Sequence, residues 1–189
     1  MLHRNFLVAI VLLIAVAPAC SWLQARELRK IKTLPIPESV QAYQHIQFTV
    51  LSSIEEQEQF LESLQPCLER EWSTRNWSAF KNAISNAKID YSTHALVLVP
   101  LHLGAIANNL WIGPAEIKGK RLIFLAGDGP SRDSYLPSVS HYCRAYVVSK
   151  KRFDEVELRV FWRSRKKIMK SLVLPLEPLF TPPPGAPGP

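Results

Sequence analysis

The side chains that come nearest to a reactive set are His141-Tyr142-Cys143, with His94 and His102 elsewhere in the chain. Imidazoles and a thiolate are the donor types zinc takes. The spacing argues the other way. There is no HExxH, no CxxC and no pair of histidines at helical spacing, so structural roles for these strand and loop histidines are expected and no metal set is assigned. Ser, His and Asp all occur, but without the Gly-x-Ser-x-Gly turn that exposes a nucleophilic serine. Gly127-Asp-Gly129-Pro-Ser-Arg132-Asp133 is the most polar loop. Asp128, Asp133 and Arg132 could hold an ion there, yet Gly-Asp-Gly-Pro is ordinary β-turn chemistry. No glycine-rich phosphate loop or dinucleotide fingerprint is present. The reading is therefore non-enzymatic, with no catalytic residue and no cofactor. Trp72, Trp77, Trp111 and Trp162 are expected in the core rather than as a stacking platform; exposure of Trp111 would reverse that for this residue.

The N-terminus carries the clearest address. Met1–Arg4 is basic, Phe6–Val16 is eleven residues without a polar side chain, and Ala17-Pro-Ala19 is followed by Cys20. These are the parts of a secretory signal peptide, and the apolar run is shorter than the ~20 residues of a membrane span. Cys20 after Ala19 is similar to the bacterial lipobox, in which that cysteine becomes the lipidated N-terminus. Ala17 stands where such boxes usually have Leu. The expectation is a signal at 1–19 and a membrane anchor through Cys20. The alternatives are a secreted or periplasmic soluble protein cleaved after Ala19, and a single retained N-terminal anchor. The retained anchor has arithmetic in its favour: Phe6–Leu23 is eighteen mostly apolar residues, and Arg26, Arg29, Lys30 and Lys32 follow it, which by the positive-inside rule would put the domain in the cytoplasm. With Cys20 lipidated, Cys67 and Cys143 remain as either one disulfide or two buried thiols.

Charge is uneven along the 189 residues. Arg144–Lys170 holds ten basic and three acidic residues, while the rest has thirteen of each, so the whole net charge of +7 lies in that stretch. Its densest part, with Arg159, Arg163, Arg165, Lys166 and Lys167, is a candidate patch for lipid head groups or other envelope polyanions; a strand end followed by a solvated basic tail, with Trp162 in the core, is the preferred explanation. Nucleic acid is not an expected partner of an exported protein.

These features need a scaffold, which is legible in outline. Residues 20–44, with Leu34-Pro-Ile-Pro-Glu38, read as an extended linker. The domain is placed at 45–165. Gln47–Leu51 reads as a strand, and Ser53-Ile-Glu-Glu56 as a capping box opening a helix to about Leu64, before Pro66, with Ile54, Phe60, Leu61 and Leu64 on its apolar face. A second helix is expected within Trp72–Ala87, with Trp77, Phe80 and Ile84 inward. Ala95–Val99 is a buried strand. Asn109–Ile117 and Arg121–Ala126 form a hairpin around Lys118-Gly-Lys120, and Tyr142–Ser149 with Val156–Trp162 a second pair. The fold class is α+β: one or two N-terminal helices packed on a mainly antiparallel sheet or small β-sandwich. Residues 166–189 read as a basic, then Pro-rich disordered tail, with seven Pro in Leu174–Pro189.

Ile89-Asp-Tyr-Ser92 followed by Ala95–Val99 resembles the Asp-Phe-Ser-and-strand signature of PrcB C-terminal-like domains, small domains of bacterial exported proteins and lipoproteins. The upstream Trp and Phe on a helix, the hairpin, and Leu136-Pro137 leading to Tyr142 are similar too, over roughly residues 48–160. The resemblance implies an envelope protein-binding module and brings no catalytic residues. Where the family has a Thr-Gly-Gly-Tyr-like turn, this chain has Gly104-Ala-Ile-Ala-Asn-Asn-Leu-Trp111, so a binding role of that turn does not carry over.

Overall fold

The apolar run Ala95–Val99 has no polar face to give to water, and every one of its five side chains is fully buried. A strand of that composition needs cover on both sides, and the fold supplies it. A computed structural model describes residues 24–37, 41–71, 74–103, 110–128, 140–162 and 167–177. In chain order these give β1 (Lys32–Leu34), a 3-10 turn (Gln41–His45), β2 (Thr49–Leu51), α1 (Ile54–Glu71), α2 (Thr74–Ser85), β3 (His94–Leu103), β4 (Leu110–Lys118), β5 (Arg121–Asp128), β6 (Ser140–Ser149), β7 (Glu155–Trp162) and β8 (Lys167–Pro175). A helical turn at 24–28 precedes them.

Two four-stranded sheets result. Sheet A has the order β1-β6-β3-β2 and sheet B the order β4-β5-β7-β8. Sheet A is antiparallel throughout. Sheet B is antiparallel except for β5 and β7, which run parallel from Arg121↔Glu155 to Asp128↔Trp162. The period-two alternation of β3 sorts its residues: Leu96 and Leu98 face the helices with Phe80, Ile84, Leu61 and Leu64, while Ala95, Val97, Val99 and Leu101 meet Leu122, Phe124, Val156 and Leu158 of sheet B. The molecule is α+β in three layers, helices on sheet A on sheet B. Tyr146 fastens the two sheets: its hydroxyl donates to the Ile112 carbonyl at 2.9 Å, and its ring lies 4.9 Å from that of Phe124.

Local chemistry explains the element ends. Ser53 caps α1 by accepting from the Glu56 amide at 3.1 Å, and the Glu56 carboxylate reaches back to the Ser52 amide and hydroxyl at 2.6 and 2.9 Å. This is a capping box displaced by one residue. Gly119, at φ +59°, makes the tight turn between β4 and β5 that the sequence predicts. Lys88 adopts φ 47° after α2, where glycine is the usual choice.

Five expectations need correction. The 20–44 linker is extended, but it carries β1 and buries Leu34, Ile36 and Tyr43; Pro-x-Pro blocks helix yet allows an edge strand to end there. Helix α1 does not stop before Pro66 but runs to Glu71, with Leu61, Leu64 and Leu68 continuing the apolar period past it. Ile54, assigned to its inner face, is 47% exposed. The strands β6 and β7 are not a hairpin: they enter different sheets, and β7 finds β5 instead. Lys167–Pro175 is strand β8 rather than tail, and Leu176 beyond it is fully buried, with its amide bonded to the Asp154 carbonyl at 2.9 Å. Residues 178–189 lie outside the described residues.

Candidate functional site

Strand β2 is only three residues long and covers β3 from Leu96 to Leu98. From Val99 to Leu103 the same edge of β3 has no strand partner among the described residues, although its other edge stays paired with β6. Pro100 lies in that stretch, and a proline inside a long strand is tolerated where one edge is unpaired. Opposite, β8 is the outer strand of sheet B. Between these two borders opens a cleft of about 490 Å³. Its apolar wall is Phe48, Leu101, Leu158, Val160 and Leu172; Gln44, Gln47 and His102 supply the polar rim. Leu172 is 37% exposed. The cleft is a concave apolar surface with few polar groups, the general form of a ligand or peptide groove.

His102 and His141 face each other across β3 and β6 in register. Their Nδ1 atoms are 3.0 Å apart and their rings 5.1 Å apart at 63°. His141 is buried and His102 exposed at the cleft. The structure thus joins two of the three histidines grouped in the sequence. His94 lies at the other end of β3, beside the Thr93 hydroxyl. Among the described residues no group of three or more His, Cys, Asp or Glu could hold a metal.

Cys143 is a free thiol, fully buried under the helices, and burial pushes its pKa up. The possible bridge from it would run to Cys67. The Cys67 side chain lies outside the described residues, as does Cys20.

The basic stretch is partly spent on internal contacts. Arg159 is no free anion ligand: its Nε and Nη2 lie 2.6 and 3.2 Å from Glu157, and its Nη1 lies 3.5 Å from Glu116. Glu157, although on the outer face of sheet B, is only 4% exposed. It also accepts from Ser171 at 2.7 Å and from Arg121 at 3.4 Å. The Arg159 hydrogen bonds foremost, then Ser171 and Arg121, hold its carboxyl down at about 2 despite burial. Lys150 donates to the Ser52 and Tyr91 carbonyls at 3.0 and 2.8 Å, and Arg152 pairs with Glu27. Arg163, Arg165 and Lys166 lie outside the described residues; Lys167 opens β8, its side chain likewise outside.

Asp90, in the segment quoted for the family resemblance, forms a turn: its carboxylate accepts from the Ser92 amide and hydroxyl and from the Thr93 hydroxyl, which lowers its pKa. Tyr91 donates to Gln57 of α1 at 2.7 Å, and its pKa is pushed up to about 12, first by burial and then by Glu56. These residues weld helix to sheet. Trp111 is 45% exposed, on β4 across from Gly127, so it is not a core residue. Trp77 is half-buried on Phe80, and the side chains of Trp72 and Trp162 are outside the described residues.

No protein-family model, curated protein or solved structure matches this chain. Among the described residues, no helix is long and apolar enough to cross a membrane.

The sequence reading missed the cleft because it dismissed β8. A signal was there: Leu172, Val173 and Leu174 form a β-rich run directly before the prolines. The approach of His102 to His141 spans 39 residues and has no local signal.

Proposed function

We propose that the protein is a non-enzymatic binding module of the bacterial cell envelope, anchored through a lipid on Cys20 or released by cleavage beside it. It takes an extended, apolar segment of a partner envelope protein into the cleft between β3 and β8. The observation that carries this reading is the apolar cleft between β8 and the stretch Val99–Leu103 of β3, which among the described residues has β6 as its strand partner on one edge and none on the other. The segment lies in the cleft and places alternate side chains against Phe48, Leu158 and Leu172. The signal-peptide features of residues 1–20 and the resemblance to PrcB C-terminal-like domains support the same placement and the same binding role.

Polyanion or lipid binding by Arg144–Lys170 is the weaker reading, because Arg159, Lys150 and Arg152 are engaged by the protein's own acceptors. Capture of a partner from envelope extract at rising ionic strength separates the two. Capture that holds from low to high salt and is lost with Leu172→Glu supports the cleft. Capture that fades steeply with salt and ignores Leu172→Glu overturns it in favour of the basic stretch. For the anchor, intact mass should show a chain beginning at lipidated Cys20 in the membrane fraction; identical processing and localisation of Cys20→Ser would refute lipidation.

A further inference from the structure

We infer that His102 and His141 form a binding site for a late first-row divalent metal ion, with copper(II) the strongest binder. The sheet brings the pair within chelating reach. The two residues occupy one register position of a ten-residue antiparallel ladder, so their separation is fixed by the sheet rather than by a flexible loop. Their Nδ1 atoms converge to 3.0 Å. Two imidazole nitrogens, each about 2.0–2.1 Å from one metal, stand about 2.9–3.0 Å apart at right angles and about 3.3–3.4 Å apart in a tetrahedron. The observed 3.0 Å is the hydrogen-bonded spacing of the metal-free pair, and a small rotation of the exposed His102 ring reaches either value. For nitrogen donors of this kind copper(II) heads the stability order of the divalent first-row ions.

Without metal, one Nδ1–H donates to the lone pair of the other Nδ1. On binding, the donor ring carries its proton on Nε2 instead, both Nδ1 lone pairs turn to the ion, and no net proton is released. The site is also reachable: His141 is buried, while His102 is exposed and lines the cleft. Since no third His, Cys, Asp or Glu completes a set among the described residues, water or donor atoms of a cleft occupant fill the other positions.

The test is titration of the purified full chain with copper(II) alone, followed by electron paramagnetic resonance. Wild type should bind with a spectrum of two nitrogen donors. His102→Gln, at an exposed position that leaves folding intact, should lose about tenfold or more in affinity, equivalent to about 1.4 kcal/mol. His141→Gln should do the same, and His94→Gln, at the far end of β3, should change nothing. The inference is overturned if wild type binds no copper(II) up to about 1 mM, a free energy of roughly −4 kcal/mol. It is equally overturned if both His102→Gln and His141→Gln keep wild-type affinity, or if His94→Gln loses as much as they do.

Discussion

The two sheets solve opposite problems with the same period of two. In sheet A, the centre of β3 is apolar on both faces, because helices cover one side and sheet B the other. In sheet B, β7 alternates Val156 and Leu158 inward with Glu155, Glu157 and Arg159 outward. Its outer face is not left to water. Arg159 and Arg121 lie across it, and Ile123, in register with Glu157, is fully buried. Long arginine stems can cover apolar surface while their heads satisfy a carboxylate. Sheet A is therefore held by packing and sheet B by packing on one face and a charge cluster on the other, so the two should fail under different insults.

The largest effect is expected from the doubly covered strand. Leu98→Ala removes a fully buried side chain between β3 and the helices and should cost about 4 kcal/mol in urea unfolding, largely independent of pH. Glu157→Gln should cost about 3 kcal/mol at neutral pH. Its carboxyl is held at about 2 against an ordinary 4.5. A depressed pKa stabilises fully above the unfolded value and loses that contribution as pH falls through the folded one. The gap between wild type and Glu157→Gln should therefore close between about pH 5 and pH 2, and a gap constant over that range would remove the charge cluster from the comparison. Tyr146→Phe, which breaks the bond between the sheets, should cost about 1 kcal/mol. Lys88→Gly, relieving a left-handed residue, should raise stability by about 0.5–1 kcal/mol. Each is read from the denaturation midpoint.

The contrast also sorts what the sequence disclosed. Ala95–Val99 announced a buried strand because five consecutive apolar residues have no other home, and Ser53–Glu56 announced a helix start by its capping chemistry. Lys118-Gly-Lys120 fixed a hairpin locally. The pairing of β7 with β5 was hidden, since it spans 34 residues from Arg121 to Glu155, and local alternation says which face a residue takes without naming its neighbour. Strand β8 was hidden by the prolines after it, and β1 by the prolines within its continuation. The cleft was illegible for the same reason: it is made by β2 being shorter than β3 and by the position of β8, both properties of the assembled sheets. The charge of Arg144–Lys170 was read correctly as composition, but composition does not show that Glu157 would claim Arg159.

The central claim is that a partner's extended segment lies in the cleft between β3 and β8. A photo-reactive residue placed in living cells at Gln47, on the cleft rim, tests it most directly against one at Ser78, exposed on α2. The expected result is a cross-link to an envelope protein from position 47 only, abolished by Leu172→Glu. Equal cross-linking from both positions, a cross-link from position 47 that survives Leu172→Glu, or one that joins the chain only to itself would contradict it.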